Sequence, residues 1–126
     1  MDIWGSTGQA DAVRGQASEW RPVHHVIVFN VEDRADLSVE EMLSQGETVL
    51  SNIPGVRRVV TGKAVQTEAK YQFTWLIEFV HEKVIASYRD HPDHVAFADN
   101  LFRPIAGDRI SIDFLQSPAS FNPNEK

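Results

Sequence analysis

One stretch of this chain concentrates groups that can move protons: Tyr88-Arg89-Asp90-His91-Pro92-Asp93-His94-Val95-Ala96-Phe97. A neutral imidazole can take a proton from a carbon acid, and a phenolic hydroxyl can hold the carbonyl oxygen of the enolate that results. For that to happen Tyr88 and His94 must face the same spot, and Pro92 decides whether they do. Proline has a fixed φ and no N–H, so it suits the first turn of a helix and resists the interior. It also pushes the residue before it toward an extended conformation. The sequence therefore predicts one helix from Val84 to Arg89, a joint at His91, and a second helix from Pro92 to Phe102.

Helical spacing then sets direction. His94, Phe97, Ala98 and Leu101 stand at i, i+3, i+4 and i+7, so His94 shares an apolar stripe; Val84, Ile85 and Tyr88 share the other. Tyr88 and His94 are expected to converge from either side of the break. His94 in a first helical turn also feels the positive end of the helix dipole, which favours neutral imidazole. A plainer arrangement uses the same residues: His94 hydrogen-bonds Tyr88 or a backbone carbonyl and locks the two helical pieces together. His91 reads as a joint or cap.

Other chemistries find less support. Asp90, His91, Asp93 and His94 are all metal-ligand types, but no His-x-x-x-His or Glu-x-x-His pair shares a helix face, so no metal is expected. His24 and His25 alternate across a strand and point to opposite sides. There is no nucleophile elbow and no glycine-rich phosphate loop. With no cysteine, disulfides and thiolate chemistry are excluded.

The elements that position these groups follow in chain order. Met1 to Arg21 lacks periodicity and is expected to be a poorly ordered extension, with Trp4 and Trp20 its exceptions. Pro22 to Val31 is a β-branched strand with His25, Ile27 and Phe29 on one face and His24, Val26 and Val28 on the other. After the polar Glu32–Leu37 connection, Ser38 with Glu41 forms a capping-box pattern that opens a helix over Val39–Asn52. Gly46 lies mid-helix, at a cost of about 1 kcal/mol against alanine, and leaves room for a bulky group opposite. Pro54-Gly55 turns the chain into a second strand, Val56 to Val65, with Gly62 expected at a bulge or close approach. Tyr71 to Val80 alternates clearly, with Tyr71, Phe73, Trp75, Ile77 and Phe79 on one face. The last strand, Arg109 to Leu115, is expected to send Ile110, Ile112 and Phe114 inward, and residues 116–126 form a tail.

The order β-α-β-β-α-β predicts an α+β, ferredoxin-like domain over residues 22–115, an antiparallel four-stranded sheet with helices on one face. The helix-free face would then expose Val26, Val28, Val59, Leu76 and Val80, among Thr74, Glu78, Arg57 and Asp113. A sheet face of that apolarity implies association, most simply a homodimer with two-fold symmetry. Glu78, Arg57 and Asp113 there are one candidate site for a small polar ligand. With a net charge of −6, nonspecific nucleic-acid binding is not expected. No apolar run is long enough to span a membrane, and the N-terminus lacks a secretory h-region, so the expected address is cytoplasmic.

These pieces together resemble a known family. The first strand (His25 to Phe29), the Ile53-Pro54-Gly55-Val56 turn, the aromatic third strand from Tyr71, the Tyr88-x-x-His91-Pro92-x-His94-x-x-Phe97 motif and a final Ile112-Asp113-Phe114 are similar to the stress-responsive A/B barrel (Dabb) domain. The resemblance runs from about Pro22 to Leu115. It implies ferredoxin-like protomers whose sheets form a barrel across a homodimer. It also implies that Tyr88 and His94 match the acid/base pair with which plant polyketide-cyclase members perform an aldol condensation without a cofactor. His25 matches their strand-one histidine. A small-molecule pocket on the helix side would be lined by His25, Ile27, Phe29, Gly46, Phe73 and Trp75. Phe73 and Trp75 depart from the cyclase pattern, which has a histidine and a small aliphatic residue, and Trp75 is large enough to fill the pocket that a polyketide needs.

Overall fold

The computed structural model describes residues 21–32 and 38–118. The segment up to Trp20, with Trp4 and Trp20, most of the Glu32–Leu37 connection, and the tail past residue 118 lie outside the described residues. The elements are β1 (Val23–Val31), α1 (Val39–Ser51), β2 (Val56–Lys63), β3 (Phe73–Phe79), α2 (Val84–Arg89), α3 (Pro92–Phe97), a π-helical turn (Ala98–Phe102) and β4 (Ala106–Leu115). The strands form one antiparallel sheet in the order β2-β3-β1-β4, the ferredoxin-like arrangement. The helices lie against one face, over a core that includes Phe29, Met42, Leu50, Trp75, Ile77, Phe79 and Tyr88.

Local chemistry accounts for the element ends. Ser38 is extended and its hydroxyl accepts from the Glu41 backbone N–H at 3.2 Å, so α1 starts at its cap. After α1 the chain turns at Gly55, whose φ of +91° few side chains would tolerate; an added Cβ would also lie 2.6 Å from Val84. The Gly55 carbonyl then accepts from the Val80 N–H at 2.9 Å, which ties this turn to the end of β3. His91 is extended, with Pro92 opening α3, and its Nδ1 accepts from the Asp93 N–H at 3.1 Å. The expected joint is thus also a cap. The second helix does not stay α-helical to Phe102: from Ala98 it widens into a π turn, and the Arg103 N–H reaches back to the Ala98 carbonyl at 2.8 Å.

Two strands differ from the sequence expectation, and both differences change faces. In β2, Val56 pairs with Phe79 and Arg58 with Glu78, so Arg57 is the extra residue of a bulge. Gly62, expected at a bulge or close approach, sits in regular register opposite Thr74, where a Cβ would lie 3.4 Å from the Thr74 methyl, an ordinary contact. The bulge reverses the phase of everything after it. Val59 joins the helix side opposite Ile77, while Val60 turns to the open face.

In β4 the phase is opposite to the one expected. Antiparallel pairing sets Asp113 opposite His25, Ser111 opposite Ile27 and Arg109 opposite Phe29, so these polar residues share the helix side. Ile110, Ile112 and Phe114 therefore face outward and remain 44%, 48% and 51% exposed. An alternating strand reveals which residues share a face, but not which face is covered. β4 is also longer than expected, starting at the buried Ala106.

Candidate functional site

Tyr88 and His94 do meet. Their ring centroids are 4.4 Å apart across the His91–Pro92 joint, although the two residues belong to different helices. Phe79 backs Tyr88 at 4.8 Å, and His25 of β1 approaches Tyr88 edge-on at 5.8 Å while stacking on Phe79 at 5.6 Å. Asp113, which the sequence placed on the far side of the sheet, completes the cluster: its carboxylate accepts from His25 Nδ1 at 2.5 Å. The signal for it lay in register, since a half-buried imidazole in β1 calls for a partner on the neighbouring strand.

The hydrogen bonds fix the chemistry of the imidazoles. His94 Nδ1 lies 3.0 Å from the Arg89 carbonyl oxygen, which can only accept, so Nδ1 carries the proton and Nε2 keeps a lone pair. Burial lowers the His94 pKa, against the pull of the Arg89 carbonyl, and the nearby His25 and Arg103 lower it further. Desolvation leads here, ahead of any effect of its helix position. Tyr88 moves the other way: burial, then the negative charge of Asp113, raise its pKa well above the ordinary phenol value. The cluster thus holds a neutral base beside a firmly protonated hydroxyl. That hydroxyl makes no hydrogen bond to the described residues.

The other residues expected to line a helix-side pocket form an aromatic block. Phe29 stacks on Phe73 at 5.7 Å and meets Phe102 edge-on at 5.0 Å. Trp75 is 2% exposed and meets Phe97 and Phe102 edge-on. Gly46 packs directly against it: a Cβ there would come within 2.3 Å of the Trp75 ring and 2.6 Å of Phe97. The bulky group that the glycine accommodates belongs to the protein itself. Ile27 lies on the same face, packed against the core. An open groove of about 480 Å³, not foreseen from the sequence, runs between α1 and the α3–π segment, with Val49, Phe97 and Leu101 among its walls. Neither Tyr88 nor His94 lines it. Asp90 turns to Arg89, His94 to the Arg89 carbonyl, and His91 and Asp93 to each other, and among the described residues no three histidine, aspartate or glutamate side chains gather as metal ligands would.

The sequence model of the stress responsive A/B barrel domain matches residues 23–116, which spans every strand and helix described above. The chain belongs to this family. A curated relative, a stress-response A/B barrel domain-containing protein of Arabidopsis thaliana, is 24% identical over 95 residues. That match covers 74% of this chain and 36% of the Arabidopsis protein, so the chain spans about a third of its relative's length. Among solved structures, a Dabb family protein with a ferredoxin-like fold from Mesorhizobium loti is 28% identical with a TM-score of 0.66, covering 76% of this chain and 97% of that one. A dimeric ferredoxin-like protein from Thermobifida fusca is 24% identical with a TM-score of 0.65, covering 76% and 92%. The ferredoxin-like fold is therefore common to this chain and both solved structures, with the helix-side cluster set within it.

Proposed function

We propose that this A/B barrel protein works as a homodimer closed through the open face of its sheet, with a small-ligand site at the Tyr88–His94 cluster of each protomer. The observation that carries the reading is Ile110, Ile112 and Phe114 along β4 and Val60 on β2, large apolar side chains left exposed on the helix-free face and joined across it by Leu76 and Val26. Contiguous apolar patches of this kind mark association surfaces. The Thermobifida fusca protein of the same fold is a dimer, which supports a second copy as the covering partner. No described helix is long and apolar enough to cross a membrane. A cytoplasmic address belongs to this proposal and rests on composition alone. Sedimentation equilibrium at micromolar concentration tests the dimer: wild type is expected at twice the protomer mass and Ile112→Glu at the protomer mass. A monomeric wild type defeats the reading.

A second reading is favoured by one specific observation, the commitment of His94 Nδ1 to the Arg89 carbonyl. It leaves Nε2 as a base next to a protonated phenol. In this reading the site transfers protons without a cofactor: Nε2 takes the α-proton of a carbonyl compound while the Tyr88 hydroxyl donates to the enolate oxygen. Trp75 fills the notch of Gly46, so this reading takes a small carbonyl compound and not a polyketide as substrate. Deuterium incorporation next to the carbonyl of small ketones in D2O, followed by NMR, is the direct assay. Loss of exchange in both Tyr88→Phe and His94→Gln, with folded dimers retained, is expected. Exchange that persists in either variant, or that wild type never catalyses, would make the motif a packing device.

A further inference from the structure

The open face has one polar end. Arg57 Nη1 lies 3.0 Å from Glu78 Oε2, and Arg58 Nε lies 3.7 Å from Glu78 Oε1. Both arginines reach the same carboxylate because of the β2 bulge, the device by which a strand re-aims a side chain. His24 is the direct strand partner of Glu78, and its Nε2 is 3.0 Å from Gln116 Oε1. The cluster sits where β2 and β1 begin and β3 and β4 end, so it lies at the rim of the face rather than its middle.

Charge does not balance there. Glu78 is buried, 7% exposed, and carries one negative charge against two guanidinium groups. A buried carboxylate needs a partner, and Arg57 supplies it. Arg58 is held only loosely: its side chain is 61% exposed, and it makes no hydrogen bond to the described residues. An arginine has five N–H donors in a planar fork that suits a carboxylate. Next to this rim runs the apolar row of Val26, Leu76, Val60 and Ile112, joined in register across the sheet. A cationic rim beside an aliphatic floor matches one ligand class.

We propose that the end of the open face around Arg58 binds an amphipathic monocarboxylate, its acid on the Arg58 fork and its hydrocarbon part along the Val26–Leu76 row. The site would open at the mouth of the barrel that the proposed dimer encloses, so its enclosure rests on that reading, while the Arg58 fork and the Val26–Leu76 row belong to one protomer. Asp113, expected from sequence to join Arg57 and Glu78 here, lies on the other side of the sheet. The missing second anion is therefore supplied by the ligand.

The experiment is calorimetric titration with octanoate, with octanol and acetate as probes lacking the charge or the tail. Octanoate is expected to bind more tightly than either, and Arg58→Gln to weaken it by about ten- to a hundredfold, the worth of a charge-assisted hydrogen bond. Sedimentation of the same samples separates the two readings. A dimer that binds octanoate no better than octanol, or as well after Arg58→Gln, overturns the carboxylate site and leaves the dimer standing. A monomer with Arg58-dependent octanoate binding overturns the dimer and keeps the site. A monomer without such binding overturns both.

Discussion

On the helix side of the sheet, Trp75, Ile77 and Phe79 are shut away at 2%, 1% and 1% exposure; on the other side, Val60, Ile110, Ile112 and Phe114 stand 41–51% open. Both faces are apolar, so hydrophobicity alone does not tell them apart. Shape and charge do. The helix side is aromatic and interlocked, with Gly46 giving up its side chain so that Trp75 and Phe97 can enter. Its proton-moving groups, His25, Asp113, Tyr88 and His94, are gathered at one end. The open side is mostly aliphatic, with Phe114 its one large ring among the residues named, and its charge sits at the rim on Glu78, Arg57 and Arg58. One face is a finished core. The other has the make-up of half an interface.

The contrast can be broken by cutting into each face. Trp75→Ala removes a fully buried ring and is expected to cost about 3–5 kcal/mol in urea unfolding. Ile112→Ala, measured at a dilution where protomers are separate, is expected to cost under about 1 kcal/mol, because half of that side chain already meets water. Equal losses would mean that the open face is itself core. Gly46→Ala sharpens the same point at smaller scale. On an exposed helix it would stabilise by about 1 kcal/mol. Here the methyl collides with Trp75 and Phe97, and overpacking costs about 1–3 kcal/mol, so a net loss of about 1 kcal/mol is expected. In the Gly46→Ala, Trp75→Leu double variant the two losses should not add, since the smaller side chain makes room.

The order of elements, the sheet and the meeting of Tyr88 with His94 were legible because each rests on a local rule. Ser38 caps, Pro92 breaks, and the spacing from His94 to Leu101 aims one face. What was not legible depends on pairing. The bulge at Arg57 exists only relative to Glu78 on the next strand, and it moved Val59 inward and Val60 outward. The alternation in β4 was read correctly as alternation and assigned to the wrong face, because Ile110, Ile112 and Phe114 look like core until the register with β1 is known. Asp113 was lost to the site for the same reason. The π turn after Phe97 has no sequence signature that distinguishes it from a further turn of α-helix.

Acid and alkali offer the mildest way to test the helix-side cluster. Burial lowers the His94 pKa in the folded protein, so between that value and the ordinary imidazole range the unfolded chain binds more protons. The resulting stability is complete above the ordinary imidazole pKa of about 6.5 and is lost as pH falls through the folded value. Tyr88 has the opposite sign: its raised pKa contributes stability below the ordinary phenol pKa of about 10, which is lost as pH rises through the folded value. Denaturation midpoints for wild type, His94→Gln and Tyr88→Phe from pH 5 to pH 11 follow the acid arm and the onset of the alkaline one (about one unit past the ordinary phenol value). His94→Gln is expected to flatten the acid arm and leave the alkaline one; Tyr88→Phe should do the reverse. Should the acid arm survive His94→Gln, another group carries it. The imidazole beside Tyr88 would then lose its claim to be the neutral base of this fold.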